Sequence, residues 1–258
     1  MATIRRVNML SGGLASWATG KLVAKQHGTD GLIHLFADTS YEDPDLYRFL
    51  PQAVANIGGE LVTVSDGRTP WELFEDEGVI GNTRVAICSR KLKREPLDAW
   101  LNANCDPANT ILYVGLLWFE RHRFEGRMVN GEWKPGIRER YAALGWKCES
   151  PLIETKLAKP DLLAWLEREG IDPPGMYDDG FTSNNCRGAC VKQGMDGWRR
   201  LLLKRPASFA EAEAEENAFR ARTGKDVAIL RDRRGGANAA TPADHLSSAY
   251  RGWAGMRP

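Results

Sequence analysis

The sequence has no long apolar run, and its amino terminus has no apolar signal core. Spanning a bilayer takes about 18 consecutive apolar residues, and no stretch comes near this length. A charge excess is also missing, because 35 basic residues face 34 acidic ones. Without an excess there is no global field for polyanions, so any contact with nucleic acid has to come from local patches. We therefore expect a soluble cytoplasmic protein that makes no membrane contact.

A disulfide scaffold and two common nucleotide motifs are absent as well. Five cysteines, an odd number in a chain without a secretion signal, argue for thiol, metal or redox chemistry rather than for structural disulfides. The chain contains neither a Gly-Lys-Ser/Thr at Walker A spacing nor the dinucleotide fingerprint G-x-G-x-x-G. Two widespread ways of holding a nucleotide are thereby excluded.

What is present is a serine- and glycine-rich turn, Asn-Met-Leu-Ser-Gly-Gly-Leu-Ala-Ser, at residues 8–16. It lies between a predicted strand at 5–10 and a predicted helix at 14–26. Glycine lets the backbone turn sharply and approach a ligand closely, and the start of a helix favours a phosphate group. The turn therefore predicts an anion cradle, and the alternative is a turn of the same composition without a ligand. Its donors are Ser11, Gly12, Gly13, Ser16 and the first helical amides.

Strand and helix patterns alternate over the first 115 residues, which predicts an α/β fold with a parallel sheet covered by helices on both faces. Further strands are predicted at 31–36, 60–65 and 110–115, and helices at 44–56, 70–77 and 92–104. Residues 124–149 are irregular and polar. Beyond them, helices are predicted at 159–169, 194–203 and 209–223. We divide the chain into a nucleotide-binding domain, 1–150, and a helical carboxyl-terminal subdomain, 151–258.

The Ser11–Ser16 loop resembles the S-G-G-x-D-S loop of the PP-loop ATP pyrophosphatases, members of the adenine nucleotide alpha hydrolase superfamily, and of their relatives, the sulfonucleotide (PAPS) reductases. The resemblance implies a Rossmann-like fold in which this loop holds the pyrophosphate part of ATP. Ala15 stands where most members carry Asp. Without that carboxylate, the site either arranges its metal or its attacking group differently, or binds a nucleotide without cleaving it.

Two more segments carry the resemblance on the nucleotide side. Asp38 and Thr39 end the second strand, where the family contacts adenosine, although both are also good helix caps. The family places a glycine, a glutamate and arginines after the fourth strand, facing the nucleotide. The planar guanidinium group of arginine can donate two parallel hydrogen bonds to a phosphate. The matching residues here are Gly115, Glu120, Arg121 and Arg123, and we take Ser11, Ser16, Arg121 and Arg123 as candidate catalytic residues.

Cysteine segments supply the rest of the resemblance. Cys88 lies just before a predicted helix and is flanked by basic residues, and both features favour the thiolate. Residues 88–97 are similar to the Cys-Cys-x-x-R-K-x-x-P-L segment of sulfonucleotide reductases, in which cysteine binds an iron-sulfur cluster. Only one cysteine of that pair is present. Cys186 and Cys190, four residues apart around Gly188, can place two sulfurs on one metal. Their surroundings, and Arg-Asp-Arg at 231–233, resemble bacterial and phage proteins described as PAPS-reductase-like.

Cys88, Cys186 and Cys190 are the candidate metal ligands, with Cys148 as a further candidate. Sulfur-rich ligation selects zinc or iron-sulfur centres. Three cysteines on a [4Fe-4S] cluster would leave one iron open, as in PP-loop enzymes that thiolate tRNA, and a closed zinc site is the alternative. A buried cysteine that serves as a small apolar residue is the commoner role of a single cysteine such as Cys88.

The resemblance implies a magnesium-assisted, ATP-dependent transferase that adenylates an acceptor with release of pyrophosphate, for sulfur transfer or a related modification. Nucleic acid, tRNA or DNA, is the expected acceptor. The basic residues that could form local patches are Lys91, Lys93, Arg94, Lys192, Arg199, Arg200 and 231–234. The alternatives are a sulfonucleotide reductase and a non-catalytic module that binds an adenine nucleotide. The oligomeric state is left open, with a homodimer as one alternative.

Overall fold

A five-stranded sheet organises the amino-terminal two thirds of the chain in the computed structural model, which describes residues 4–82 and 85–230. Its strand order is β3-β2-β1-β4-β7, and the pairs β1–β2, β1–β4 and β4–β7 are parallel. The strands are β1 (Arg5–Met9), β2 (Leu32–Asp38), β3 (Glu60–Ser65), β4 (Thr110–Val114) and β7 (Lys147–Glu149). The predicted α/β class with a central parallel sheet flanked by helices is confirmed.

Nine helices accompany the strands in the described part of the chain. They are α1 (Leu14–His27), α2 (Pro44–Ile57), α3 (Pro70–Glu77), α4 (Glu95–Asn104), α5 (Arg121–Glu125), α6 (Ile137–Ala142), α7 (Lys159–Arg168), α8 (Met195–Lys204) and α9 (Pro206–Thr223). A π-helical turn, Ser89–Arg94, leads into α4. Short 3-10 turns lie at Trp118–Glu120, Pro151–Thr155 and Cys186–Gly188. Among the described residues, no helix combines the length and apolarity needed to cross a bilayer.

A hairpin occupies part of the segment predicted to be irregular. Strands β5 (Gly126–Val129) and β6 (Glu132–Pro135) pair antiparallel. Their two-residue loop is Asn130-Gly131, with φ of 51° and 81°. Positive φ at both positions suits the type I′ turn that joins twisted strands, and Asn-Gly is its strongest sequence signal. Local patterning does not predict this hairpin, because the flanking strands are short and polar.

The chain separates into two compact units. Among the described residues, the sheet unit comprises 4–37, 44–64 and 96–174, and the helical unit comprises 38–43, 65–82, 85–95 and 175–230. This division runs differently from a boundary near residue 150, because α7 groups with the sheet unit and α3 groups with the helical unit. Long-range packing rather than chain order decides the grouping.

Each unit has its own apolar core. In the sheet unit, Val7, Leu35 and Leu112 are almost fully buried between the strands and the covering helices. In the helical unit, Trp198 of α8 packs edge-on against Phe209 of α9, with ring centroids 6.2 Å apart. Burying side chains of this size supplies the apolar surface that a stable unit needs.

Candidate functional site

The loop after β1 lies at the topological switch point of the sheet, where the strand order changes direction. From β1 the chain builds outward to β2 and β3, and it then returns to place β4 on the other side of β1. In open parallel sheets, ligands bind outside the carboxyl ends of the strands at such a switch point. The residues at these ends are the Ser11–Ser16 loop after β1 and Gly115 after β4. Both belong to the sheet unit.

Two serines close this loop on itself. The backbone N–H of Ser11 donates to Ser16 Oγ at 3.1 Å, and the two serine hydroxyls lie 3.2 Å apart. Ser16 Oγ donates to the carbonyl of Gly13 at 2.9 Å. Because Ser16 is buried and so engaged, its hydroxyl fixes the curvature of the loop, whereas Ser11 is exposed.

Close packing explains two of the glycines. Gly12 has φ of +73°, and a Cβ added there would lie 2.8 Å from Leu46 Cγ on α2. A Cβ at Gly115 would lie 2.6 Å from the backbone of Ala15 and Ser16. The end of β4 is thereby pressed against the first turn of α1. The close approach of these two backbone segments is enough to explain the glycine at position 115, without any contact with a nucleotide.

The N-cap of α1 is a glycine, Gly13. It makes no side-chain cap bond in the described structure, and the first turn contains no acidic residue. Helix geometry gives the amides of Gly13 and Ala15 no carbonyl four residues earlier. These donors, together with the positive end of the helix dipole, form a site with the electrostatics that an anion requires.

The two arginines expected to face a nucleotide are engaged with carboxylates. Arg121 pairs with Glu125 at 3.1 Å and with Glu154 at 2.9 Å. Arg123 forms an ion pair with Glu120, and Glu120 also accepts the backbone N–H of Leu117 at 3.1 Å. These residues surround the turn after β4, as expected, but their charges are balanced locally. They can reach a phosphate only by exchanging these surface pairs, which contribute little stability.

Asp38 and Thr39 belong to the helical unit. Asp38 Oδ1 accepts the backbone N–H of Ser40 at 2.8 Å, which supports a local turn of the capping kind. Thr39 is buried, and its hydroxyl donates to Glu42 Oε1 at 3.1 Å. Thr39 therefore takes part in a polar centre of the helical unit.

Glu42 is the hub of that polar centre, and its side chain is fully buried. Its Oε1 lies 2.7 Å from Lys93 Nζ, and its Oε2 accepts the backbone N–H of Cys186 at 2.8 Å. The sequence analysis assigned no role to Glu42. Its partners are 51 and 144 residues away along the chain, so no local pattern signals them.

Cys186 and Cys190 form a hydrogen-bonded thiol pair beside this centre. The thiol of Cys186 lowers the pKa of Cys190 to about 6, assisted by the backbone of Lys192 and by the charge of Lys93. The bond to Cys190 and burial raise the pKa of Cys186 well above its usual range. Burial alone would lower the pKa of Lys93, but Glu42 and the two sulfurs outweigh it and raise that pKa. The two shifts favour the thiolate at Cys190 and the thiol at Cys186.

Cys88 differs from the expectation. It lies at the start of the π-helical turn, but burial, followed by the nearby Cys190, raises its pKa. The backbone at the helix start and the charge of Lys93 lower the pKa of Cys88, as predicted. Removal of the sulfur from water outweighs both influences.

The predicted metal ligands share a region without forming a recognisable metal site. Cys88, Cys186 and Cys190 all pack in the core of the helical unit, and their chemistry suits zinc or iron. Within residues 4–82 and 85–230, however, no three histidine, cysteine, aspartate or glutamate side chains are arranged to hold a metal ion. In the described part of the chain, these cysteines therefore do not form a ready-made site for zinc or an iron-sulfur cluster.

Cys148 and two of the candidate lysines have structural explanations. Cys148 lies on β7 in the core of the sheet unit, where burial raises its pKa to about 12. Among the basic residues, Lys91 pairs with Glu77 at 3.0 Å and Lys93 with Glu42. These two lysines are consequently neutralised within the helical unit. Arg-Asp-Arg at 231–233 and the basic run 231–234 lie outside the described residues.

Comparison with known proteins gives a coarse result. No family model matches the chain, and no curated protein matches it. A solved structure of phosphoadenylyl-sulfate (PAPS) reductase from Candida auris, a phosphate complex, is similar to it with a TM-score of 0.45 and 12% sequence identity. The match covers 72% of this chain and 82% of that one. This likeness is a coarse one of fold, and it says nothing about function.

Proposed function

We propose that this protein is an ATP-dependent PP-loop transferase. It binds the triphosphate at the Ser11–Ser16 loop, adenylates an acceptor and releases pyrophosphate, in the service of sulfur transfer or a related modification of nucleic acid. The observation that carries the proposal is the glycine N-cap of α1, without an acidic residue in the first turn, at the switch point of the sheet and next to a glycine of positive φ. Phosphate binding at a helix start of this kind is a general property of the geometry.

The chemistry requires little more than positioning. An oxygen of the acceptor attacks the α-phosphorus, the bond from that phosphorus to the bridging oxygen breaks, and pyrophosphate departs with the electron pair. A sulfur or nitrogen nucleophile then displaces AMP. Backbone amides at the start of α1 would stabilise charge on the phosphates. Ser11 would contact the pyrophosphate, while Ser16 maintains the shape of the loop.

Magnesium would be bound mainly through the phosphates. The first turn of α1 supplies no carboxylate, because Ala15 occupies the position where the family carries Asp. Magnesium is commonly held by substrate phosphates together with few protein groups. The protein's own contribution is then the fixed set of amide donors.

Gly13 provides the sharpest test of the cradle. Its φ of −103° is accessible to any residue, so Gly13→Asp should be tolerated and should even improve the N-cap of α1. The added carboxylate would repel a triphosphate, and we expect ATP affinity to fall by about ten-fold or more, measured by calorimetry. Gly13→Asn adds a side chain of nearly the same size without charge, and it should lose much less. Equal affinity for ATP in the wild type and Gly13→Asp would overturn the placement of the cradle.

Product analysis separates the proposal from its alternatives. Adenylation predicts pyrophosphate release from ATP when an acceptor is present. A module that only binds an adenine nucleotide predicts affinity for ATP without turnover of any substrate. Anaerobically purified protein should be used, so that the thiols remain reduced.

A sulfonucleotide reductase is the second candidate, and the thiol pair favours it. The Cys190 thiolate would attack the sulfur of the sulfonucleotide, and the nucleoside phosphate would leave with the electrons of the broken bond. Cys186 would then attack the Cys190 sulfur, releasing sulfite and forming a disulfide. This candidate predicts one sulfite per pair without a reductant, and loss of sulfite in Cys190→Ser. Pyrophosphate release without sulfite would exclude it.

A further inference from the structure

The β5–β6 hairpin of the sheet unit has one apolar and one basic face. Met128 and Trp133 are direct cross-strand partners, so they share a face, and they are 60% and 50% exposed. Arg127 and Lys134 are the next partners and lie on the opposite face. A tryptophan and a methionine exposed side by side on so small a ribbon are unusual, because apolar groups of this size are normally covered.

Trp133 is held in place although it is exposed. Its Nε1 donates to Glu139 Oε2 at 3.0 Å. Its ring lies over Gly126, where a Cβ would come within 2.5 Å of Trp133 Cζ2. An aromatic ring that is fixed before binding loses little entropy when it contacts a ligand.

A second exposed aromatic pair precedes the hairpin in the same unit. Trp118 and Phe119, in the turn after β4, are 47% and 53% exposed, with ring centroids 5.7 Å apart in an edge-on arrangement. Only α5, five residues and about 7.5 Å long, separates this turn from β5. We call Trp118, Phe119, Met128 and Trp133 the aromatic surface.

Positive charges around the aromatic surface exceed negative ones, since residues 118–140 contain six lysines and arginines and four glutamates. Glu120 and Glu125 pair with arginines and Glu132 with Lys134, whereas Glu139 accepts the Trp133 N–H and has no cationic partner among the described residues. Three exposed arginines have no carboxylate partner among the described residues. They are Arg127, Arg138, whose guanidinium lies 5.4 Å from the Phe124 ring centroid, and Arg140, which donates to the carbonyl of Gly136.

We propose that the aromatic surface binds single-stranded nucleic acid, with unpaired bases stacked on its rings and phosphates contacted by Arg138 and Arg140 of α6, the helix whose Glu139 holds Trp133. Stacking on aromatic side chains beside a basic track is the usual way in which single strands are bound without sequence preference. A second copy of the chain is a poorer occupant, since a face-to-face contact would bring the uncompensated arginines together. The further step, that this strand is the acceptor, rests on the proposed function.

The test is strand binding by the full-length protein in the absence of ATP. The probes are fluorescein-labelled RNA and DNA single strands of about 15 nucleotides and mixed sequence, with the blunt duplex for comparison, read by fluorescence anisotropy. We expect the single strands to bind more tightly than the duplex. Two phosphate contacts should give a log–log salt slope of about −1.4, and Arg140→Gln should reduce its magnitude by about 0.7.

Four variants assign the binding to this surface. The double variant Trp118→Ala/Phe119→Ala, and separately Trp133→Ala, should each weaken binding about ten-fold or more, because each removes a stacking surface. Trp133→Phe keeps a ring and should retain most of the affinity. Leu203→Ala removes an apolar side chain of similar exposure, 60%, from α8 in the helical unit, and it should change nothing. Circular dichroism and ATP affinity, measured on the same samples, identify any variant that is misfolded.

The outcomes are distinct for the two proposals. Single strands that fail to bind at low salt, or that bind the alanine variants as tightly as the wild type, overturn the assignment. So does a shift from dimer to monomer on alanine substitution in sedimentation velocity, since a second copy would then cover the surface. Strand binding that persists in Gly13→Asp, with ATP binding lost, would leave this inference standing independently of the cradle.

Discussion

Lys93 Nζ lies 2.7 Å from Glu42 Oε1, and the other oxygen of the same buried carboxylate accepts the backbone N–H of Cys186. One side chain therefore connects the π-helical turn before α4 to the cysteine segment. The connection is needed, because Cys186 and the next residue, Arg187, both have positive φ, of 54° and 50°. Non-glycine residues adopt this conformation at a cost that neighbouring contacts have to offset.

Removing the charge of Glu42 should destabilise the helical unit. Glu42→Gln keeps an acceptor for the Cys186 amide but leaves the Lys93 ammonium without a counter-charge. Since Lys93 is 29% exposed, we expect a loss of about 2 kcal/mol, below the range for a fully buried pair. Urea unfolding measures it. Glu77→Gln breaks the pair with Lys91, in which the carboxylate is 29% exposed rather than fully buried, and serves as control, with an expected loss below about 1 kcal/mol. Similar losses in the two variants would contradict the importance of the buried pair.

Gly188 should not tolerate a side chain. It has φ of +84°, and a Cβ would lie 2.8 Å from Leu201 Cδ1 in the core of the helical unit. We expect Gly188→Ala to cost about 1–3 kcal/mol through strain and overpacking. Gly194, the N-cap of α8, has φ of −81° and open space around it. The free energy of unfolding of Gly194→Ala, measured by thermal unfolding, should differ from that of the wild type by less than about 1 kcal/mol. A comparable loss in Gly188→Ala and Gly194→Ala would contradict this explanation.

Glu169 should make the sheet unit sensitive to acid. Hydrogen bonds from Asn56 and Lys21 lower its pKa from 4.5 to about 2. The folded state therefore favours the carboxylate, which contributes stability above the unfolded pKa and loses it as the pH falls from about 5 towards 2. With 28% exposure, we expect about 1 kcal/mol at neutral pH.

Unfolding of Glu169→Gln at several pH values measures this contribution. The difference from wild type should be largest near pH 7 and should shrink below about pH 5 as the wild-type carboxylate is protonated. Glu167→Gln, an exposed neighbour on the same helix, should show no such trend. A difference that stays constant down to about pH 2 would mean that Glu169 acts through packing rather than charge.

The cysteines should react with alkylating reagents in a defined order. Cys190, with its pKa lowered to about 6, should be labelled first by iodoacetamide near neutral pH. Cys88 and Cys148 should react slowly, because burial raises their pKa values. Cys186→Ala removes the thiol that stabilises the Cys190 thiolate and should move the labelling midpoint upward. Mass spectrometry of peptides locates the label.

The same experiment examines the metal prediction. A shared zinc or iron-sulfur centre would protect Cys88, Cys186 and Cys190 equally, and a chelator would remove the protection. Iron content and a broad absorbance near about 400 nm in anaerobically purified protein would identify a cluster. Preferential labelling of Cys190 without these signs would support the thiol pair.

Several features follow from local sequence. Alternating apolar runs predicted the strands that form β1 to β4 and the helices between them, because periodicity reflects which face each residue buries. The Ser-Gly-Gly turn placed the loop correctly between β1 and α1. Even the missed hairpin carried a local signal in Asn130-Gly131, which the flanking polar residues obscured.

The pairing of charges and sulfurs, by contrast, was decided by the tertiary structure. Sequence could name Lys93 as a basic residue, but only the fold sets it against Glu42, 51 positions away. It could place Cys88 at a helix start, but burial determines whether the sulfur is charged. Local periodicity is encoded in neighbouring residues, whereas the free energy of a charge depends on the solvent and partners that distant segments provide. The sequence by itself therefore determined the order of elements and the loop, and the tertiary structure determined which of its polar groups remain available for chemistry.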